Sequence, residues 1–372
     1  MGDPYAVDAS SLRTNLPAAV EDERLAVPVI DIAALAPGAP AADRQRVIEQ
    51  LRFACRDVGF FYCAGHGVPQ QLLDALFSTT LDFLAKPTEY KQRIAMSNSR
   101  VFRGWFALGG ELTSYRADWK EGIYFGEDLA DNHPDVLAKK PMHGANQWPD
   151  VQDFPEYKQT VTTYMSVMTE LGHTIMEGIA ESLGLAPDFF RKAFTANPFT
   201  PFRLFHYPAD PVAKHENGEE RWGVGVHRDY GCLTVLSSPN IIGLEIELKT
   251  GEWVKARQIP GTFVVNIGDM LEVWTKGVVR AAPHRVKNVS NVNRITAPFF
   301  FDPNFDCMIN PLDITFSDDG KTATAVTAKD TDLSSLTTNP SIRSLTFPLR
   351  YGDYILKKVQ NNFPELEQMS LK

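Results

Sequence analysis

The fold class expected from this sequence is mainly β with flanking helices (α+β), with a double-stranded β-helix, or jelly roll, as the core and an N-terminal region of helices and strands ahead of it. Three observations lead there. From about residue 201 to 306 short β-type segments follow one another (RLFHY, GCLTVL, LEIEL, WVKA, TFVVNI, EVWT, HRVKNV, ITAPFFF), punctuated by Gly, Pro and Asn. Short strands separated by turn residues are the signature of a double-sheet jelly roll. The two strongest helix patterns, 69–95 and 153–184, precede that region, and 44% apolar with 11% aromatic residues over 372 positions supply a large core.

Taken in order, residues 1–25 are polar, lack apolar periodicity and read as an arm. Residues 27–32 form a short β-type run opened by Pro28, and 41–57 a helix. GFFYCAGHG reads as a strand ending in a glycine turn. His66, between Gly65 and Gly67, is expected to bond the backbone there and not a metal. In the second long helix Pro155 suits the first turn. Tyr164, Met168, Leu171, Ile175, Ile179 and Leu183 fall three and four apart, marking one buried stripe, with His173 a packed or surface residue. Between the helices, residues 101–145 are rich in Gly, aromatic and charged residues, as functional loops are. Residues 311–346 read as a polar, mobile excursion, and RYGDYILKKVQNNF as an amphipathic helix. The expected regions are therefore 1–25 (arm), 26–195 (helices and mouth segment), 196–306 (jelly-roll core) and 307–372 (excursion and C-terminal helix).

Charge and composition exclude several classes. A net charge of −9 argues against nucleic acid as partner, because phosphate binding needs a basic face. No run of about 18 apolar residues is present, so no membrane span is expected. Cys55, Cys63, Cys232 and Cys307 lack metal-ligand spacing and read as free thiols of a cytoplasmic protein. Oligomeric state is not legible.

The chemistry is carried by His227-Arg228-Asp229, by His284 after 54 intervening residues, and by Arg294-x-Thr296. Two imidazoles and one carboxylate can occupy one face of an octahedral ion, the arrangement of non-haem Fe(II) oxygenases. On a strand, side chains at i and i+2 share a face, so His227 and Asp229 point into one cavity while Arg228 points away. Arg294 and Thr296 repeat that spacing and offer a guanidinium and a hydroxyl, a clamp for a carboxylate. Continuing the alternation, Pro298 and Phe300 face the same interior, with Phe300 either a substrate wall or a plain core aromatic.

WGVGVHRDYGCLTVL, NIGDMLEVWTKGVVRAAPHRV and NRITAPFFFDPNF together resemble the isopenicillin-N-synthase-like branch of the 2-oxoglutarate/Fe(II)-dependent dioxygenases. VPVIDIAAL and ACRDVGFFYCAGHGV resemble the leading segment of the same family, so the likeness runs from about Pro28 to the C-terminal helix. The resemblance implies Fe(II) on His227, Asp229 and His284, with 2-oxoglutarate and O2 as cosubstrates. It also implies that Arg294, Thr296 and Tyr207 bind the far carboxylate of 2-oxoglutarate. Fe(II), Asp229 and a dianionic cosubstrate sum to −1, which Arg294 neutralises; an unpaired buried charge would cost several kcal/mol. VFRGWFALGGELTSYRADWKEGIYFG resembles a segment edging the active-site mouth, which makes Trp105, Phe106 and Tyr124 candidate substrate contacts.

Two positions depart from the family pattern. Arg228 replaces a common Thr, with an effect expected on outer packing or a salt bridge and not on iron, and Thr296 replaces the usual Ser while keeping the hydroxyl. The expected activity is hydroxylation or desaturation of a small organic substrate with release of succinate and CO2. An aromatic lining suggests an apolar or planar molecule. Alternatives are a non-haem iron oxidase that does not use 2-oxoglutarate, ethylene-forming breakdown of 2-oxoglutarate, and a non-catalytic jelly-roll binding module.

Overall fold

The computed structural model describes residues 26–363 apart from 114–115, 211, 213, 215–217, 240–242, 288–290, 318–321, 330–331, 334–336 and 338. The arm expected over residues 1–25 lies outside the described residues, as do parts of SDDGKT and DTDLSS.

The chain opens with β1 (Val29–Asp31) and α1 (Ala41–Phe53). The last turn of α1 widens into a π-helical stretch, Ala54–Val58, which Gly59 ends at φ +83°. A Cβ on Gly59 would stand 2.6 Å from the Arg280 carbonyl oxygen, so both sterics and backbone conformation demand glycine. β2 (Phe60–Ala64) follows, buried along its whole length, then α2 (Gln70–Leu84). The expected 69–95 helix stops at Leu84 because Pro87 cannot continue it, and short turns carry the chain on.

The mouth segment contributes β3 (Gly104–Phe106) and β4 (Glu121–Phe125). α3 (Tyr157–Ser182) follows, with Pro155 two residues ahead of its first turn and not inside it. The expected stripe on α3 is buried throughout. Tyr164 bonds Ser237 at 2.9 Å, and a Cβ on Gly172 would stand 2.2 Å from the Phe301 ring. The helix therefore lies directly on a sheet.

The jelly-roll strands are β5 (Phe202–Tyr207), β6 (Val224–His227), β7 (Leu233–Ser237), β8 (Leu244–Glu247), β9 (Trp253–Lys255), β10 (Phe263–Ile267), β11 (His284–Val286) and β12 (Arg294–Phe301). They form two sheets. The major one runs β1-β2-β10-β7-β12-β5-β4-β3 and the minor one β9-β8-β11-β6. Strands of the N-terminal region thus extend the jelly roll at both edges of its major sheet. Between β10 and β11, EVWT is not a strand. It belongs to α4 (Asp269–Trp274), all six residues of which are buried. A short apolar run buried on every side carries no period that separates helix from strand. α5 (Tyr351–Asn362), an amphipathic helix, is the last described element. Among the described residues the four cysteines are free, and no helix is long and apolar enough to cross a membrane.

Candidate active site

His227 ends β6 and His284 begins β11, and the two stand opposite each other in register with ring centroids 4.1 Å apart. Asp229 lies just beyond the end of β6, so its return to the same side owes less to the pleat than the i, i+2 argument supposes. Its carbonyl accepts from the Asp269 amide at 2.8 Å, which pins the turn.

The imidazole orientations are fixed from behind. His227 Nδ1 bonds the Gly225 carbonyl at 2.9 Å and His284 Nδ1 the Ala282 carbonyl at 3.1 Å. Carbonyls only accept, so each Nδ1 carries the proton and each Nε2 presents a lone pair. Burial, with His227 alongside, lowers the His284 pKa to about 4, which keeps that ring neutral. Asp229 Oδ2 accepts from Thr234 Oγ1 at 2.5 Å and Asn266 Nδ2 at 2.7 Å. That leaves Oδ1 facing the two Nε2 atoms at 3.6 and 3.7 Å. Burial alone would raise this carboxyl, but the two histidines and the two hydrogen bonds outweigh it and hold the group below its usual range. Two imidazole nitrogens and a carboxylate oxygen thus converge within 4.8 Å of one another. A cation fits such a set, and nitrogen with carboxylate ligation suits Fe(II).

Arg294 faces Tyr207 across the β12–β5 ladder, and Thr296 faces Phe205. Arg294 is 1% exposed, its guanidinium 4.5 Å from the Tyr207 ring centroid. Its Nε and Nη1 find no hydrogen-bond partner among the described residues. Burial pulls its pKa below the ordinary value, and Tyr207 opposes that pull. A buried cation with spare donors is suited to seat an anion, because native buried donors are almost always satisfied.

One cavity of about 110 Å³ joins these groups: His227, Asp229, His284, Arg294, Thr296, Tyr207, Pro298 and Phe300 all line it. Phe60, Val224, Leu236, Leu244 and Val286 give it apolar walls, and α5 adds Ile355 and Asn362. Trp105, Phe106 and Tyr124 are buried but absent from the lining. Trp105 Nε1 donates to Glu121 at 3.1 Å, while Phe106 and Tyr124 pack edge to face with each other and with Phe363. Arg228 is also absent from the lining, its Nε donating to the Ala281 carbonyl at 2.9 Å.

Sequence reasoning passed over several lining residues. Thr234 and Asn266 hold Asp229, and Asn266 had left a signal as the one polar residue of FVVNI. Glu111, Lys120, Arg203 and Asp302 bring charge to the cavity. Lys120 bridges Glu111 at 2.8 Å and also Asp118. Asp302 is 2% exposed, and burial pushes its pKa up to about 7. Charged residues in a loop-like stretch read as solvated until the tertiary structure encloses them.

Residues 27–151 match the family described as the N-terminal part of non-haem dioxygenases in morphine synthesis, and residues 199–303 match the 2OG-Fe(II) oxygenase superfamily. A probable iron/ascorbate oxidoreductase of Dictyostelium discoideum is 38% identical over 92% of this chain and 96% of its own. The chain belongs to the 2OG-Fe(II) oxygenase superfamily. A homoarginine-6-hydroxylase of Oryza sativa subsp. japonica is 36% identical over 73% of this chain and 82% of its own. In fold, the oxygenase matches a full-length Neurospora crassa protein solved in complex with alpha-KG, with a TM-score of 0.72 at 22% identity, covering 92% of this chain and 98% of that one. It is an Fe(II)- and 2-oxoglutarate-dependent dioxygenase that oxidises a small organic substrate.

Proposed function

We propose that His227, Asp229 and His284 hold the Fe(II) of this oxygenase, and that Arg294, with Thr296 and Tyr207, holds the far carboxylate of 2-oxoglutarate. The substrate then takes the remaining cavity, beside Pro298 and Phe300. One observation carries the reading: three converging lone pairs and a buried guanidinium with unpartnered donors share a single enclosed space.

When bound, Fe(II) supplies dioxygen activation coupled to decarboxylation of 2-oxoglutarate to succinate and CO2. The chain's own residues prepare that chemistry. Thr234 and Asn266 hold Asp229 with one oxygen turned to the metal seat. The Gly225 and Ala282 carbonyls hold both imidazoles in one tautomer. Arg294 fixes the length and direction of the cosubstrate, a task a planar fork performs better than an ammonium. The apolar walls exclude water from the reacting C–H. Hydroxylation is the favoured outcome, supported by the hydroxylase among the relatives. Four free thiols fit a cytoplasmic setting.

Calorimetric titration tests the assignment. His227→Ala, Asp229→Ala and His284→Ala should each lose Fe(II) binding while keeping the fold. Arg294→Ala should leave Fe(II) binding in place and weaken 2-oxoglutarate by roughly 30-fold or more, the loss of one arm of a buried charged bond. A 2-oxoglutarate affinity within twofold of wild type in Arg294→Ala would overturn the assignment of Arg294 to the cosubstrate.

A further inference from the structure

Arg203 sits on β5 two residues from Phe205 and lines the same cavity. Its guanidinium is flanked by the rings of Tyr124 and Phe300, with centroids at 4.2 and 4.7 Å, which fix its plane. The Arg203 side chain makes no hydrogen bond to any described residue, and its Nε is fully buried without a partner. The nearest carboxylate oxygen, Glu111 Oε1, stands 3.6 Å away and already accepts from the Tyr124 hydroxyl. Glu111 Oε2 faces Lys120. Of the three Lys and Arg side chains lining the cavity among the described residues, Lys120 is taken by two carboxylates and Arg294 serves the cosubstrate. Arg203 is ion-paired with Glu111 at 3.6 Å, but among the described residues no hydrogen bond engages its guanidinium donors.

A complementary group lines the same space. Asp302 Oδ2 accepts from the Tyr351 hydroxyl at 2.6 Å, but its Oδ1 is buried with no partner. Buried polar atoms are almost always satisfied by protein, water or ligand. A cationic donor and a carboxyl acceptor, each with hydrogen-bonding capacity to spare, therefore line one cavity.

We propose that the cavity is built for a small substrate carrying both a carboxylate and a basic nitrogen, an amino acid in the broad sense, with the carboxylate on Arg203 and the nitrogen on Asp302. This rests on the assignment of Arg294 to 2-oxoglutarate. The aromatic sandwich makes Arg203 a preorganised fork, suited to two parallel hydrogen bonds to a carboxylate. The proposal adds charged ends to the apolar or planar molecule that the aromatic lining suggests.

The test is calorimetric, on the full chain loaded with Fe(II) and 2-oxoglutarate without oxygen. The probes are L-amino acids with basic, aliphatic and aromatic side chains, each matched with its carboxamide and its deamino acid. At least one amino acid should bind about tenfold or more tightly than its carboxamide, as a charge-assisted pair replaced by a neutral one predicts. That preference should fall below about threefold in Arg203→Gln, and the preference over the deamino acid should shrink in Asp302→Asn. Carboxamides binding as well as acids, no amino acid binding at all, or a preference that survives Arg203→Gln would each overturn the proposal. If Arg203→Gln fails to fold, the wild-type comparison and Arg203→Lys still decide it. Loss of 2-oxoglutarate binding in Arg203→Gln, with Arg294→Ala unaffected, would instead move the cosubstrate to Arg203 and overturn the earlier assignment as well.

Discussion

Thr234 and Asn266 are not among the three proposed metal ligands, yet they should set how well the metal binds. Both donate to Asp229 Oδ2, at 2.5 and 2.7 Å, inside a site where Asp229 is 9% exposed. Hydrogen bonds to a charged group contribute about 1.5–3 kcal/mol each, and losing a partner that orients a ligand costs roughly 10–100-fold in metal affinity. Asn266→Ala removes one bond and Thr234→Val, nearly the same shape, removes the other. Because either bond alone can hold Oδ2, each single variant should lose about tenfold in Fe(II) affinity and the double variant more than the product of the two. Anaerobic Fe(II) titration, with urea unfolding to separate affinity from stability, gives all four corners of the cycle. Affinities within twofold of wild type in the double variant, while Asp229→Ala abolishes binding, would refute the claim that Oδ2 is held so that Oδ1 can serve the metal.

Three further outcomes are expected. Arg228→Thr removes a bond to the Ala281 carbonyl outside the cavity; it should cost about 1 kcal/mol of stability and leave Fe(II) affinity near wild type, so a loss comparable to Asp229→Ala would contradict the placement. His66 is held neutral by burial, its pKa lowered to about 4 from 6.5. The unfolded chain therefore binds more protons between those values, and stability present above pH 6.5 falls by up to about 3 kcal/mol as pH drops to 4. His66→Gln should flatten that acid limb in urea unfolding, and an unchanged slope would count against it. Gly172→Ala drives a methyl into the Phe301 ring and should destabilise by about 1–3 kcal/mol, read from the urea midpoint.

Much of this was readable from the residues because the relevant signals are local. The stripe from Tyr164 to Leu183 follows from helical spacing, and the inward set Arg294, Thr296, Pro298 and Phe300 from strand alternation. The backbone role expected for His66 also has a local basis: its Nδ1 accepts from the Val68 amide two residues on, at 3.1 Å, although the stacking of its ring on Phe263 does not show in the sequence. What stayed hidden depends on enclosure. α4 is short and wholly buried, so its sequence carries no amphipathic period. Arg203, on β5, and Asp302, just past the end of β12, look like ordinary polar residues, and only the closing of two sheets and α5 around them brings both to the lining of one cavity.

The cavity draws its parts from two kinds of source. The proposed metal ligands and the proposed Arg294 clamp belong to strands of the two jelly-roll sheets or, for Asp229, to the turn just beyond one, whereas Glu111 and Lys120 come from the mouth segment and Ile355 and Asn362 from α5. Inheritance can therefore act on the two halves separately. Changes in the mouth segment or the last helix would reshape the wall beside the substrate that Arg203 and Asp302 are proposed to hold and leave the proposed iron and 2-oxoglutarate residues in place, so a lineage built on this scaffold could vary the body of the molecule it oxidises while its chemistry stays constant.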